Sequence, residues 1–213
     1  MESQPSNAGR TTVRRVPGPV VLAGGLVAGL TWGIVARVWM RFIAVDPEFT
    51  RAGTLFIVIG FGIAGLGQAS AYLGRRAGLR RPRMTVVRIL AFASLLPLGM
   101  AAGGPMLPAI VLLSLAPTHT EWSGRMRLVL VVVALLPVVA VAGILLDDLS
   151  TPRAVVGFMW FVMVYAGIVW AARFTLAPPT RRWRVPRVVR ILGLVALAIV
   201  TLFEAAFLLG PKV

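Results

Sequence analysis

Long apolar runs separated by short charged clusters constrain this chain more than any other feature of its sequence. The clear runs cover residues 18–38, 52–73, 84–102, 128–146, 154–172 and 188–209. Each is close to the roughly 20 residues that an α-helix needs to cross the hydrocarbon core of a bilayer. A shorter run, 106–116, fits either a full span or part of a re-entrant hairpin over 105–116. The sequence therefore predicts an all-α integral membrane protein, a transmembrane bundle of seven helices.

The amount and placement of charge agree with this class. Charged residues make up 14% of the chain, where a soluble domain carries about 25%. The net charge of +15 would indicate nucleic acid binding in a soluble protein. Here, however, the arginines gather at the ends of the apolar runs, where basic residues set topology and meet anionic lipid headgroups. The predicted partners are therefore the bilayer and its anionic headgroups, and not nucleic acid.

Two basic loops determine the predicted orientation. The positive-inside rule places both in the cytoplasm, so that residues 84–116 must cross the membrane twice. This gives seven crossings, with the N-terminus cytoplasmic and the C-terminus outside, on the side of the acidic Asp147-Asp148 loop. The basic residues of the loops are Arg75, Arg76, Arg80, Arg81 and Arg83, then Arg181, Arg182, Arg184 and Arg187.

Composition also divides the chain and suggests its source. Residues 1–17 are polar and are predicted to be a disordered cytoplasmic N-terminus, and residues 18–213 a single transmembrane domain. Arginine is abundant while Lys212 is the single lysine, a bias that favours a GC-rich bacterial genome. The predicted location is therefore the bacterial inner membrane.

An internal repeat is predicted from identities at a constant offset of 102 residues. The run Val86-Val87-Arg88-Ile89-Leu90 recurs as Val188-Val189-Arg190-Ile191-Leu192. At the same offset Asp46 matches Asp148, Arg51 matches Arg153, Phe56 matches Phe158, Ala64-Gly65 matches Ala166-Gly167, Arg80 matches Arg182 and Leu95 matches Leu197. We predict two parallel copies, helices 1–3 and 5–7, joined by helix 4. This 3+1+3 plan resembles, in architecture alone, that of SWEET-type sugar transporters, whose orientation is opposite.

Glycines on the first predicted helix indicate close packing. Gly25, Gly29 and Gly33 recur every four residues and therefore share one helix face. Small residues at this spacing let two helix backbones approach each other in membrane proteins. We assign these three glycines to a helix-packing seam.

Glu204 is the sharpest polar feature, since it lies within an otherwise apolar run. A charge at mid-membrane costs about 3 kcal/mol on insertion scales, so it usually has a partner or a task. Helical rise places Glu204 roughly 24 Å and Arg37 roughly 26 Å from the cytoplasmic ends of their helices. We predict an Arg37–Glu204 ion pair, with Arg41 as substitute or third member. The two residues form a structural pair, or they snorkel separately to the outer interface, or they form a proton-titrating or cation-binding site in a transport path.

Two further polar clusters have a structural and a functional interpretation. Asp46 and Glu48 fit a helix start, with Asp46 as N-cap. The alternative is an outward mouth lined by Arg37, Arg41, Asp46 and Glu48. The only histidine, His119, lies in Thr118-His119-Thr120-Glu121, which fits a capping box with Glu121 reaching back to Thr118.

The remaining composition excludes several activities. The chain has no cysteine and one histidine, so a zinc or bis-histidine haem site within one chain is not available. No nucleotide-binding glycine motif and no nucleophile–base pair is present, so we predict no cofactor, no metal, no catalytic residues and no enzyme activity. The leading functional prediction is a small transporter or permease-like protein. The alternative is a non-transporting assembly partner, lipid-interacting factor or subunit of a larger complex; a homo-oligomer or a partner subunit fits either.

Overall fold

The chain folds into packed α-helices. The computed structural model describes residues 16–45, 50–101, 106–176, 191, 193–195 and 197–202. Its helices are α1 (Gly18–Ile43), α2 (Arg51–Arg76), α3 (Arg81–Ala93), α4 (Leu96–Ala101), α5 (Met106–Thr118), α6 (Gly124–Asp148) and α7 (Thr151–Leu176). Parts of a further helix are described between residues 191 and 202. No strand occurs in these ranges, and the predicted all-α bundle is confirmed.

Among the described helices, four are long and apolar enough to cross a membrane: α1, α2, α6 and α7. Each has 25 or 26 residues, which at about 1.5 Å per residue exceeds the roughly 30 Å of a hydrocarbon core. The run 106–116 corresponds to α5, which has only 13 residues. It packs against α6 and α7 and buries Leu112 and Ser114 completely.

Pro97 divides the predicted helix 84–102 into two. The first part, α3, ends at Ala93, and a turn at Ser94 and Leu95 leads into α4. Proline lacks an amide hydrogen, and its ring clashes with the carbonyl four residues earlier, which here is that of Ala93. Pro137, in contrast, lies inside α6, and that helix continues through it.

Both predicted helix starts are wrong in position. Thr50 caps α2, because its Oγ1 accepts a hydrogen bond from the amide of Gly53 at 3.3 Å. Thr50 is the N-cap of α2, and the predicted N-cap, Asp46, lies with residues 47–49 outside the described ranges.

The capping box predicted around His119 is also absent. Ser123 caps α6 and accepts a hydrogen bond from the amide of Met126 at 3.3 Å. Thr118 instead ends α5, and Glu121 Oε1 lies 2.8 Å from His119 Nδ1. The reason is that Ser123 immediately precedes the helical residues, so its hydroxyl is nearer to their free amides than that of Thr118.

The three helices that matter for the site run in alternating directions. α1 is antiparallel to α2, since Gly25 faces Gly65 and Arg37 bonds Thr54. It is also antiparallel to α7, because Trp32 bonds Val164 and Trp39, further along α1, bonds the earlier residue Gly157. α2 and α7 consequently run in the same direction. The N-terminus of α1 therefore lies at the same end of the bundle as the C-termini of α2 and α7.

Candidate functional site

The charged residues predicted as a site are only partly described. Arg37 Nε donates a hydrogen bond to Thr54 Oγ1 at 3.1 Å, which links α1 to α2. Arg41, one turn further along α1, is also engaged in an interaction. Glu204, Asp46 and Glu48 lie outside the described ranges. The Arg37–Glu204 pair and the four-residue mouth therefore stay predictions.

The predicted glycine seam faces α2. A Cβ added to Gly25 would lie 2.5 Å from the Cβ of Ala69, and one on Gly33 would lie 2.9 Å from that of Phe61. On Gly29 it would overlap the carbonyl oxygen of Phe61. Real Cβ atoms do not come this close, so the two backbones can touch only because these positions lack a side chain. Gly65, on α2, likewise has no room for a Cβ, because Gly25 lies directly against it.

Tryptophans attach the C-terminal half of α1 to α7. Trp32 Nε1 donates to Val164 O at 3.0 Å, and Trp39 Nε1 donates to Gly157 O at 2.7 Å. Gly167 lets the Trp32 ring lie flush against α7, because a Cβ there would be 2.5 Å from the indole. These bonds hold one half of the α1–α7 pair closed.

A cavity of about 490 Å³ lies beside the other half of that pair, between α1, α2 and α7. Its volume falls within the roughly 300–1,000 Å³ typical of ligand pockets. Tyr72 and Trp170, which are 41% and 56% exposed, border it, so it opens to the surface of the bundle. Its wall includes Val21, Ala28 and Trp32 of α1, Phe61, Gln68 and Tyr72 of α2, and Trp170, Ala171 and Phe174 of α7, with Leu95 and Leu98 behind.

The wall of this cavity is almost entirely carbon. Its buried polar side chain, Gln68, donates through Nε2 to Ala91 O at 3.2 Å. The Oε1 of Gln68 accepts from the Thr175 hydroxyl at 2.5 Å. The indole N–H of Trp32 is likewise used within the protein. An occupant would therefore meet apolar and aromatic surface, which favours a hydrocarbon group over a sugar or an amino acid.

A second, smaller cavity of about 30 Å³ continues the same seam toward the far end of α1. Trp39, Met106 and Tyr165 line it. Phe61, Leu98 and Ile168 line both cavities and therefore stand between them; these are the three side chains shared by the two walls.

Arginines surround the end of the large cavity. The guanidinium of Arg173 lies over the rings of Trp170 and Phe174, with its Cζ 4.9 Å and 5.5 Å from the two centroids. Arg75 Nη1 donates to Phe174 O at 3.1 Å. Arg76 Nη1 donates to Val16 O at 2.8 Å and so reaches the start of α1. At this end, α2 and α7 thus each provide an arginine, and an arginine of α2 also contacts the start of α1.

Comparison with protein-family models, with curated proteins and with solved structures gives no match to this chain. In the part of the chain that the structure describes, no group of three His, Asp or Glu side chains is placed to hold a metal ion. The geometry of the cavity carries the functional argument that follows.

Proposed function

We propose that this chain is a multi-pass membrane protein that holds a hydrocarbon group, such as a lipid chain, in the cavity between α1, α2 and α7. The observation that carries the proposal is the cavity itself. It has the volume of a ligand pocket, it opens to the surface of the bundle, and the polar groups of Gln68 and Trp32 in its wall are bonded within the protein. This is the lipid-interacting alternative among the functions that the sequence predicts.

The outer surfaces of the long helices support the membrane assignment. Many large apolar side chains on them are exposed, among them Val27 and Ile34 on α1, Leu128, Val132 and Val139 on α6, and Val155 and Met159 on α7. Soluble monomers rarely expose apolar patches of more than a few hundred Å², whereas lipid tails would cover such a surface without cost. The positive-inside rule places the arginine-rich end in the cytoplasm of a bacterial cell, as the sequence predicts.

Filling the cavity is expected to displace the bound lipid. Ala28 lines the cavity, while Ala23, also exposed on α1, does not. Ala28→Phe should reduce the amount of lipid retained per protein roughly tenfold or more. The added ring would occupy the space of the lipid's acyl chain, whose burial contributes about 1.5–3 kcal/mol. Native mass spectrometry after purification in a mild detergent counts the retained lipid.

Ala23→Phe is the matched control and should retain as much lipid as the unaltered chain. It adds the same ring to the same helix, outside the cavity. Equal retention by the Ala28→Phe and Ala23→Phe variants would refute the proposal, provided that both melt at the temperature of the unaltered chain.

Transport is the second candidate function. The observation that favours it is the alignment of two cavities along one helix seam, separated by Phe61, Leu98 and Ile168. Leu98 belongs to α4, immediately after the helix break, and broken helices commonly form the substrate sites of transporters. The predicted repeat would suit this function, and it requires α2 and α7 to run in the same direction, as they do. The repeat stays a prediction, because much of its last helix lies outside the described ranges.

The predicted Arg37–Glu204 pair separates a structural role from a transport role. If the pair is structural, Arg37→Gln and Glu204→Gln should each lower the melting temperature, and the double variant should cost little more, with a coupling of about 0.5–3 kcal/mol. Thr54→Val is a necessary control, because Arg37→Gln also removes the Arg37–Thr54 hydrogen bond. A Glu204→Gln variant as stable as the unaltered chain would contradict the structural pair. Saturable, proton-coupled flux into proteoliposomes would then be the expected result.

A further inference from the structure

We propose that the cavity selects an anionic phospholipid from the bilayer, with one acyl chain between α1, α2 and α7 and the phosphate at Arg173. This inference rests on the proposed function and names the ligand of the same site. It joins two features that are adjacent in the structure: an apolar cavity and the arginines at its end.

The rim of the cavity connects the two features. Trp170 and Phe174 line the cavity, and the guanidinium of Arg173 lies near the rings of both residues. Tyr72, which also lines the cavity, packs edge-on against Phe174, with the ring centroids 5.8 Å apart. Arg75 binds the carbonyl oxygen of the same phenylalanine. A molecule whose chain fills the cavity would therefore have its polar end beside these two guanidinium groups.

The chemistry of the arginines fits a phosphate. Stacking on an aromatic ring holds a guanidinium in place through its face, and its N–H groups point outward from its edge. A guanidinium can bind two oxygens of a phosphate through parallel hydrogen bonds. Arg173 is exposed, so a headgroup can reach it from the bundle surface.

The surrounding charge favours an anion over a zwitterion. The termini of α2, α3, α6 and α7 that are nearest the cavity lie at one end of the bundle. We call this end the basic end. Glu121 is the single acidic residue at the basic end among those described, and it lies against His119. Arginines at a membrane surface attract anionic lipid, and the field of several adds up. The described arginines of the basic end are Arg75, Arg76, Arg80, Arg83, Arg125, Arg127 and Arg173.

The lateral opening indicates a lipid rather than a free anion. Tyr72 and Trp170 border the cavity and are exposed on the outer surface of the bundle. An acyl chain can therefore enter from the hydrocarbon side without its headgroup leaving the basic end. Inorganic phosphate would use the arginines but would leave the cavity unfilled.

Competition between two lipids with identical acyl chains tests the inference. The purified chain is equilibrated with equal amounts of phosphatidylglycerol and phosphatidylcholine, and native mass spectrometry gives the ratio of the two retained lipids. We expect the anionic lipid to be preferred. Arg173→Gln should lower that preference about fivefold, since one arginine near a membrane surface contributes on the order of a fivefold change in affinity for anionic lipid.

Two variants serve as controls. Arg173→Lys keeps the charge and should retain most of the preference. Arg51→Gln removes an equal charge from the first residue of α2, at the opposite end of the bundle, and should leave the preference unchanged. A preference that is the same in Arg173→Gln and in the unaltered chain would overturn the inference.

The outcomes also separate this inference from the proposed function. If both lipids are retained equally, and Ala28→Phe still removes both, the cavity binds hydrocarbon without selecting charge, and only the anionic inference fails. If Ala28→Phe retains both lipids undiminished, the cavity is not the site and both proposals fail. Binding of inorganic phosphate that displaces no lipid would likewise overturn the inference.

Discussion

Gly29→Ala is expected to destabilise the bundle by about 1–3 kcal/mol, the usual cost of forcing extra carbon into a packed interior. The added Cβ would overlap the carbonyl oxygen of Phe61 and lie 3.0 Å from the Cα of Gly62. Both obstacles are backbone atoms of α2, so no side-chain rotation relieves them. The two helices must separate, and the separation reaches every contact along the seam.

The melting temperature in one detergent measures the effect, at roughly 2–4 °C for each kcal/mol in a chain of this length. Gly24→Ala is the matched control on the same helix, because a Cβ at Gly24 meets nothing within 4 Å. Alanine is favoured over glycine inside a helix by about 1 kcal/mol, so the control should melt at the same temperature or higher. If the two variants melted alike, α1 and α2 would not be in backbone contact at Gly29.

The glycine spacing shows what a sequence can and cannot predict in this chain. A repeat of Gly25, Gly29 and Gly33 predicts a seam because residues four apart share a helix face. The repeat does not identify the partner helix. That helix is α2, whose glycines Gly62 and Gly65 are three residues apart and so do not show the same four-residue repeat. The partner becomes evident only once α1 and α2 are paired antiparallel.

The helix ends show a different limit. Asp46 and Thr50 are both good N-caps, and sequence alone does not rank them, since the choice depends on where the α1–α2 connection lets the helix begin. Thr118 and Ser123 compete in the same way before α6, and in each case the later residue caps the helix. Proline has the same limit: α3 and α4 are separate helices on either side of the turn before Pro97, whereas α6 continues through Pro137.

No local pattern in the sequence predicts the cavity. Its wall joins residues as far apart as Val21 and Phe174, and no spacing in the sequence relates them. Gln68 and Trp170 are unremarkable in an apolar run until their neighbours are known. The cavity lies beside the half of the α1–α7 pair that the Trp32 and Trp39 hydrogen bonds do not join.

Arg153→Met is expected to loosen that joined half and to destabilise the chain by about 2–3 kcal/mol. Arg153 donates from Nε and Nη2 to Phe42 O at 2.9 and 2.7 Å, and from Nη2 to Ala44 O at 3.0 Å. The last carbonyls of a helix have no hydrogen-bond partner within it. At the C-terminal end of α1, the guanidinium of Arg153 from α7 provides that partner. Hydrogen bonds to a charged group contribute about 1.5–3 kcal/mol, and the half-buried site keeps part of that.

Lysine should rescue little of this stability, because a single ammonium cannot reproduce the fork that reaches both carbonyls. Arg51→Met is the control: Arg51 is the first residue of α2 and is exposed, so its replacement should change the stability by less than about 0.5 kcal/mol. Thermal unfolding of the Met and Lys variants measures the difference. A Lys variant as stable as the unaltered chain would show that charge alone acts at this position, and that the two carbonyl contacts do not hold α7 to α1.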